Sequence, residues 1–213
     1  MFFSFDGIDG VGKTTQMQLF CQWLAQRQVA AGDSMRRVEV VACRDPGSTP
    51  LGERVREILL TSGEEMPIAA RSEMLLYMAA RAQLVEEVIR PALAAGKTVV
   101  SDRFLLANVV YQGYAGGLDV AAVREVGRVA TDGVLPDCIF LLDMSPQAAL
   151  GRMGKELDRM ENRGEEYRDR LRAGFLQEAR EWGDSVHVID ADRPMETIQQ
   201  EIRTVAEGLL AQS

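Results

Sequence analysis

Gly7-Ile8-Asp9-Gly10-Val11-Gly12-Lys13-Thr14 places glycines, a lysine and a hydroxyl in the spacing G-x-x-x-x-G-K-T. Glycine accepts the backbone angles that curl a loop around an anion, and the N–H groups turned inward converge at the positive end of the following helix. Lys13 then reaches the outer phosphates, and the Thr14 hydroxyl is a magnesium ligand. Apolar Phe2–Phe5 precedes the motif and helix-prone Thr15–Phe20 follows it, the setting that separates a phosphate loop from a solvated glycine-rich turn. Gly7, Ile8, Asp9, Gly10, Val11, Gly12, Lys13, Thr14 and Thr15 are therefore the expected nucleoside-triphosphate site. Gly96-Lys97-Thr98 repeats the end of the motif and fails: Pro91 stands where the first glycine belongs, and a strand follows where a helix is needed.

Two further arginines sit just after apolar runs, Arg44 and Arg103, placed to neutralise one dianionic phosphate opposite the loop through paired N–H donors. Magnesium needs a carboxylate nearby. Asp102 and Asp143 both follow strands; Asp102 is preferred because it adjoins Arg103, while Asp143 is read as a cap for the helix opening after Met144. The one histidine, His187, alternates with valines inside a strand and reads as structural. Lack of an obvious general base suits an acceptor that is already an ionised phosphate monoester, for which positioning and charge neutralisation supply the catalysis.

The elements that must hold these groups are legible in outline. Runs at Phe2–Phe5, Val38–Cys43, Thr98–Ser101, Cys138–Leu142 and Val186–Ile189 alternate with helix-length segments, which predicts an α/β fold with a parallel sheet of about five strands flanked by helices. Helical periodicity is clearest over Thr14–Ala30, Ala69–Ala95, Val120–Thr131 and Met195–Leu210. At 213 residues the chain is expected to form one domain, residues 1–213. A net charge of -8 argues against a surface that tracks nucleic acid, and no apolar run approaches a bilayer span. Isolated Cys21, Cys43 and Cys138, and a start with no basic leader, are expected of a cytoplasmic protein with reduced thiols.

The phosphate loop Gly7–Gln16, Arg44-Asp45-Pro46-Gly47-Ser48-Thr49-Pro50-Leu51-Gly52-Glu53, Asp102-Arg103-Phe104 through Tyr111-Gln112, Leu135-Pro136-Asp137 and Val188-Ile189-Asp190-Ala191 together resemble the dTMP kinase (thymidylate kinase) family, bacterial type, over nearly the whole chain. The resemblance implies a P-loop NTPase fold and transfer from ATP, with Mg²⁺, to dTMP, in dTTP biosynthesis for DNA synthesis by a homodimer. It implies that Asp9 contacts the acceptor's 3′-hydroxyl and that Arg44 and Arg103 hold its phosphate. Tyr77 and Arg81 would stack on thymine and donate to O4, Asn108 would read the other polar edge, Tyr111 would lie beneath the sugar, and Gln112 would join the substrate-binding set. Tyr77 with Arg81, and Asn108 with Tyr111, have the spacing of one helix face. Ala191 joins the ATP site, and Thr14 with Asp102 the metal.

The alternating charges of Arg152–Arg172 read as a solvated helix; the resemblance makes this region, about 150–172, a mobile helical lid. Glycine rather than arginine at position 10 then moves the catalytic cation to the lid, where Arg152, Lys155 and Arg159 are candidates and the first two preferred. Lys13, Asp9 and Arg103 complete the expected catalytic set. Asp6, Asp45, Ser48, Phe104 and Ala107 depart from the family pattern; the hydroxyl missing at Ala107 weakens the expected support of Arg103, and Asp45 shortens an acidic reach by one methylene. A kinase of another nucleoside monophosphate, a guanine-nucleotide switch and a catalytically dead nucleotide module are the competing classes. The switch lacks an N/T-K-x-D motif, and Lys13, Thr14, Asp102 and Arg103 oppose the dead module.

Overall fold

The computed structural model describes residues 1–31, 34–62, 66–153 and 164–211. Strand β1 (Phe2–Asp6) leads through the glycine-rich loop into helix α1 (Lys13–Leu24), then β2 (Gln28–Ala31), β3 (Ser34–Arg37) and β4 (Val40–Arg44). Helices α2 (Pro50–Thr61), α3 (Ala70–Leu84) and α4 (Arg90–Ala94) precede β5 (Thr98–Asp102). The remainder is α5 (Leu105–Asn108), α6 (Val120–Thr131), β6 (Cys138–Asp143), α7 (Pro146–Arg152), α8 (Glu165–Trp182), β7 (Val186–Asp190) and α9 (Met195–Leu210). The main sheet has five parallel strands in the order β4-β5-β1-β6-β7. A central parallel strand is covered on both faces, and β1 meets that demand by alternation. Phe3 and Phe5 pack with Phe20 and Phe140 on one side, while Phe2 meets Phe104 on the other. Register aligns Arg44 with Asp102 and Phe5 with Asp102, so the strand ends that carry charge lie side by side.

All five strands fall where the apolar runs predict them, and α6 and α9 have the expected bounds. The predicted helix Thr14–Ala30 is corrected: α1 ends at Leu24, its last buried residue, and the exposed polar residues that follow turn into the antiparallel β2–β3 hairpin. Residues 25–28 are all exposed, so helix continued there has no tertiary support. The expected Ala69–Ala95 helix is α3 and α4 joined through a π-helical stretch, Val85–Ile89. Pro91 cannot donate to a carbonyl in the preceding turn, and the wide turn lies immediately before it. Asp143 does not cap the helix after Met144. Ser145 does, its Oγ accepting from the Ala148 N–H at 3.2 Å, while Asp143 accepts two 2.8 Å bonds from Arg172 on α8. His187 stays in β7 with its ring near Phe140, Lys97 pairs on the surface with Glu39, and the three cysteines are free. No helix among the described residues is long and apolar enough to cross a membrane.

Candidate active site

The carboxyl ends of β4, β5 and β1 open onto a cavity of about 470 Å³ lined by the phosphate loop, the β4–α2 turn, α3 and α5. Parallel sheets present their functional loops at this end, and every charged group predicted from the sequence at β1, β4 or β5 lies there. Gly7, Gly10 and Gly12 have φ of 137°, 85° and 90°, values at which a side chain is strained. A Cβ would also stand 2.4 Å from the Leu142 carbonyl oxygen at Gly7 and 2.4 Å from the Ala149 carbonyl oxygen at Gly10, so β6 and α7 both pack against the loop where a side chain would intrude.

Lys13 is buried, and its Nζ donates to the Ile8 carbonyl at 2.7 Å and faces Asp9 at 3.5 Å. Asp9 is the hub. Its Oδ1 accepts a short bond from Arg103 Nη2, and its Oδ2 accepts from the Tyr111 hydroxyl at 2.8 Å. The Arg103 guanidinium lies 5.0 Å from the Tyr111 ring centroid. Burial opposes ionisation of Asp9, but Arg103 and Lys13 outweigh it and hold the carboxyl well below the usual range. Burial and the neighbouring Arg103 lower Lys13, while burial pushes the Tyr111 phenol well up. Arg103 occupies φ +67°, an uncommon conformation for a non-glycine residue, fixed by these contacts and by the Ser101 hydroxyl donating to its carbonyl at 2.6 Å. Ala107 lines the cavity without a hydroxyl, and Arg103 is held without one from that position.

Thr14 Oγ1 donates to Asp102 Oδ2 at 2.6 Å, which brings together the two predicted metal ligands across β5 and α1. Arg44 is clamped by Glu53, which accepts bonds of 3.0 and 2.9 Å. Ser48, at φ +62°, closes this turn by accepting from the Arg44 N–H and donating its own N–H to Glu53.

Tyr77 and Arg81 both line the cavity from α3. Arg81 is buried, with Nε donating to Asp45 at 2.6 Å and Nη2 to the Phe104 carbonyl at 3.3 Å, its guanidinium over the Phe104 ring. The short side chain of Asp45 thus reaches its partner. Asn108, Tyr111 and Gln112 line the cavity too, where α5 widens into a π-helical stretch, Val109–Ala115. Arg56 of α2 also lines the cavity and donates to the Pro46 carbonyl at 3.4 Å; no expectation from sequence includes it. Burial and the like charge of Arg44 lower its pKa without discharging it. The start of α2, where Thr49 caps the Gly52 N–H with Pro50 behind it, sets Arg56 one helical turn beyond Glu53, but nothing in the sequence marks it as facing the cavity.

Arg152 stands apart from the cavity, donating to the Ala191 carbonyl at 3.0 Å and facing Asp192 at 3.4 Å, so two predicted donor-side residues meet. Lys155 and Arg159 lie outside the described residues, as does much of the expected lid.

The thymidylate kinase family profile matches residues 5–202. The chain is 44% identical over 200 residues to a thymidylate kinase of Rhodopirellula baltica, covering 94% of this chain and 77% of that one. It is 40% identical over 211 residues to that of Symbiobacterium thermophilum, covering 99% and 94%. Its fold superposes on the crystal structure of thymidylate kinase from Ehrlichia chaffeensis with a TM-score of 0.78 and 29% identity, covering 97% and 98% of the two chains.

Proposed function

The chain belongs to the thymidylate kinase family and phosphorylates dTMP to dTDP, and from that premise we propose how this cavity carries out the transfer from ATP. The phosphate loop, from Gly7 to Thr15, holds the donor's phosphates, with Lys13 on the outer ones and Ala191 beside the nucleoside. Arg44 and Arg103 bind the acceptor phosphate, Asp9 accepts from the 3′-hydroxyl, and Tyr111 crowds the sugar where a ribose would carry its 2′-hydroxyl. Tyr77 stacks on the base, Arg81 donates to O4, and Asn108, backed by Gln112, reads the other polar edge. The observation that carries this reading is the position of Asp9: a residue of the donor's loop is bonded at once to Arg103 and Tyr111 of the acceptor wall.

Catalysis follows from alignment and charge. An acceptor phosphate monoester is largely ionised at neutral pH, so no residue needs to remove a proton, and the cations neutralise charge on the transferring group as it passes between two aligned oxygens. The donor set of Thr14 Oγ1 and Asp102 Oδ2, two hard oxygens brought within 2.6 Å, suits Mg²⁺, which takes its remaining ligands from water and phosphate and needs no acidic cluster. When bound, Mg²⁺ neutralises phosphate charge. The lid, about 150–172, excludes water and contributes Arg152 and Lys155 on closing. Its described flanks are the end of α7 and the start of α8. The homodimer and the cytoplasmic location rest on the family resemblance, and light scattering checks the first.

Release of ADP with dTMP, dUMP, UMP, dCMP and GMP as acceptors tests the reading. We expect turnover to be fastest with dTMP and to require Mg²⁺; no dTMP-dependent turnover overturns it.

A further inference from the structure

The base-reading wall contains a chain of three polar side chains. Asn108 Nδ2 donates to Gln112 Oε1 at 2.5 Å, and Gln112 Nε2 donates to Glu73 Oε1 at 3.2 Å. All three are buried, with exposures of 3%, 3% and 4% for Asn108, Gln112 and Glu73. Asn108 and Gln112 line the cavity, whereas Glu73 stands behind them on α3, four residues before Tyr77 and eight before Arg81, on the same helix face. Asn108 Oδ1 is buried and makes no hydrogen bond within the protein.

An amide side chain fits a site in either of two orientations, exchanging its oxygen for its NH₂ with little change of shape. A carboxylate removes that freedom, because it only accepts. Facing Glu73, Gln112 must present its NH₂ and therefore turns its oxygen to Asn108. Asn108 must in turn offer its NH₂ to Gln112, which leaves its oxygen as a buried, unpaired acceptor on a residue that lines the cavity. That oxygen matches the N3–H of a keto pyrimidine, thymine or uracil, and opposes the N3 lone pair of cytosine. Resting on the dTMP reading above, we propose that Glu73 is a positioning residue which, through Gln112, locks Asn108 as a hydrogen-bond acceptor and so sets selection for pyrimidines that carry N3–H. A buried polar group left facing a second acceptor is costly, which turns this polarity into discrimination.

The test compares kcat/KM for dTMP with that for 5-methyl-2′-deoxycytidine 5′-monophosphate, which keeps the methyl group and inverts the N3 polarity. Glu73→Gln offers both a donor and an acceptor, so the chain is free to run in either direction. The dTMP preference should fall by about tenfold or more, the equivalent of one hydrogen bond, through a higher dTMP KM and a lower KM for the cytosine analogue. The double variant Glu73→Gln/Gln112→Glu moves the carboxylate one step along the chain, still forces Asn108 to donate inward, and should restore the preference to within about threefold. Gln112→Met breaks the chain at its middle and should lower the preference as Glu73→Gln does, which keeps the inference testable if Glu73→Gln fails to fold. A purely structural role lowers both acceptors by the same factor; an unchanged preference in the folded single variants, or a double variant as unselective as Glu73→Gln, overturns the proposal. If the unaltered enzyme prefers dTMP and the variants do not change that preference, only the role of Glu73 is lost. An unaltered enzyme that does not turn over dTMP removes both readings.

Discussion

Replacing Asp45 by alanine separates charge compensation from simple packing. Arg81 Nε and Asp45 Oδ2 are 2.6 Å apart, and their side chains are 2% and 0% exposed. Breaking a pair this deeply buried leaves a guanidinium without its counter-charge in a medium that solvates it poorly, at a cost of about 3–5 kcal/mol. For a domain of this size each kcal/mol lowers Tm by roughly 2–4 °C, so Asp45→Ala should melt at least about 6 °C below the unaltered protein. Since the freed guanidinium no longer keeps the position from which it serves the cavity, the dTMP KM should rise far more than the ATP KM. The decisive variant is Asp45→Ala/Arg81→Met. It removes the stranded charge and fills part of its volume with an apolar chain, so it should be more stable than Asp45→Ala alone, although it binds dTMP no better. Thermal unfolding gives the stability order, and initial-rate kinetics give the two KM values. If the double variant is less stable than Asp45→Ala, or if Asp45→Ala keeps the original Tm and dTMP KM, the buried charge is not what holds this wall of the cavity.

Asp6, fully buried beneath the phosphate loop with Oδ1 unpartnered, is pushed from 3.8 up to about 6, chiefly by burial against the opposing pull of Arg103. Between these values the folded state binds the extra proton, so the contribution of Asp6 to stability is full below about pH 4 and is lost as pH rises through about 6. The stability of the protein relative to Asp6→Asn should therefore fall by roughly 2 kcal/mol from pH 4 to pH 8 in denaturant unfolding, and a difference that does not vary with pH refutes it. Gly10→Ala combines φ of 85° with a Cβ 2.4 Å from the Ala149 carbonyl oxygen and 2.9 Å from Met153 Cγ, so the loop or α7 must shift. We expect the ATP KM to rise by about tenfold with a smaller change for dTMP, and an unchanged ATP KM would mean that the loop tolerates the methyl group.

The phosphate loop and the five sheet strands were legible because their signals are local: glycine, lysine and threonine at fixed offsets, and short apolar runs spaced by helix lengths. The end of α1 was less so, since periodicity continues past Leu24 while residues 25–28 are exposed. The β2–β3 hairpin and the π-helical turns before Pro91 and after Asn108 likewise depend on which backbone partners are available in space. Arg44, Arg103 and Asp102 could be assigned to one crevice from their positions after strands, because the carboxyl ends of parallel strands share an edge. Arg56 could not, because a lone arginine on a helix has no feature that distinguishes a cavity-facing guanidinium from a solvated one. What the sequence by itself determined was the phosphate chemistry and the layer that carries it. The tertiary structure alone decided the pairing of Asp45 with Arg81, 36 residues apart, and of Gln112 with Glu73, 39 apart. The reason is physical: a buried charge or amide takes its partner from whatever packing brings within hydrogen-bonding distance, and sequence spacing carries no record of that distance.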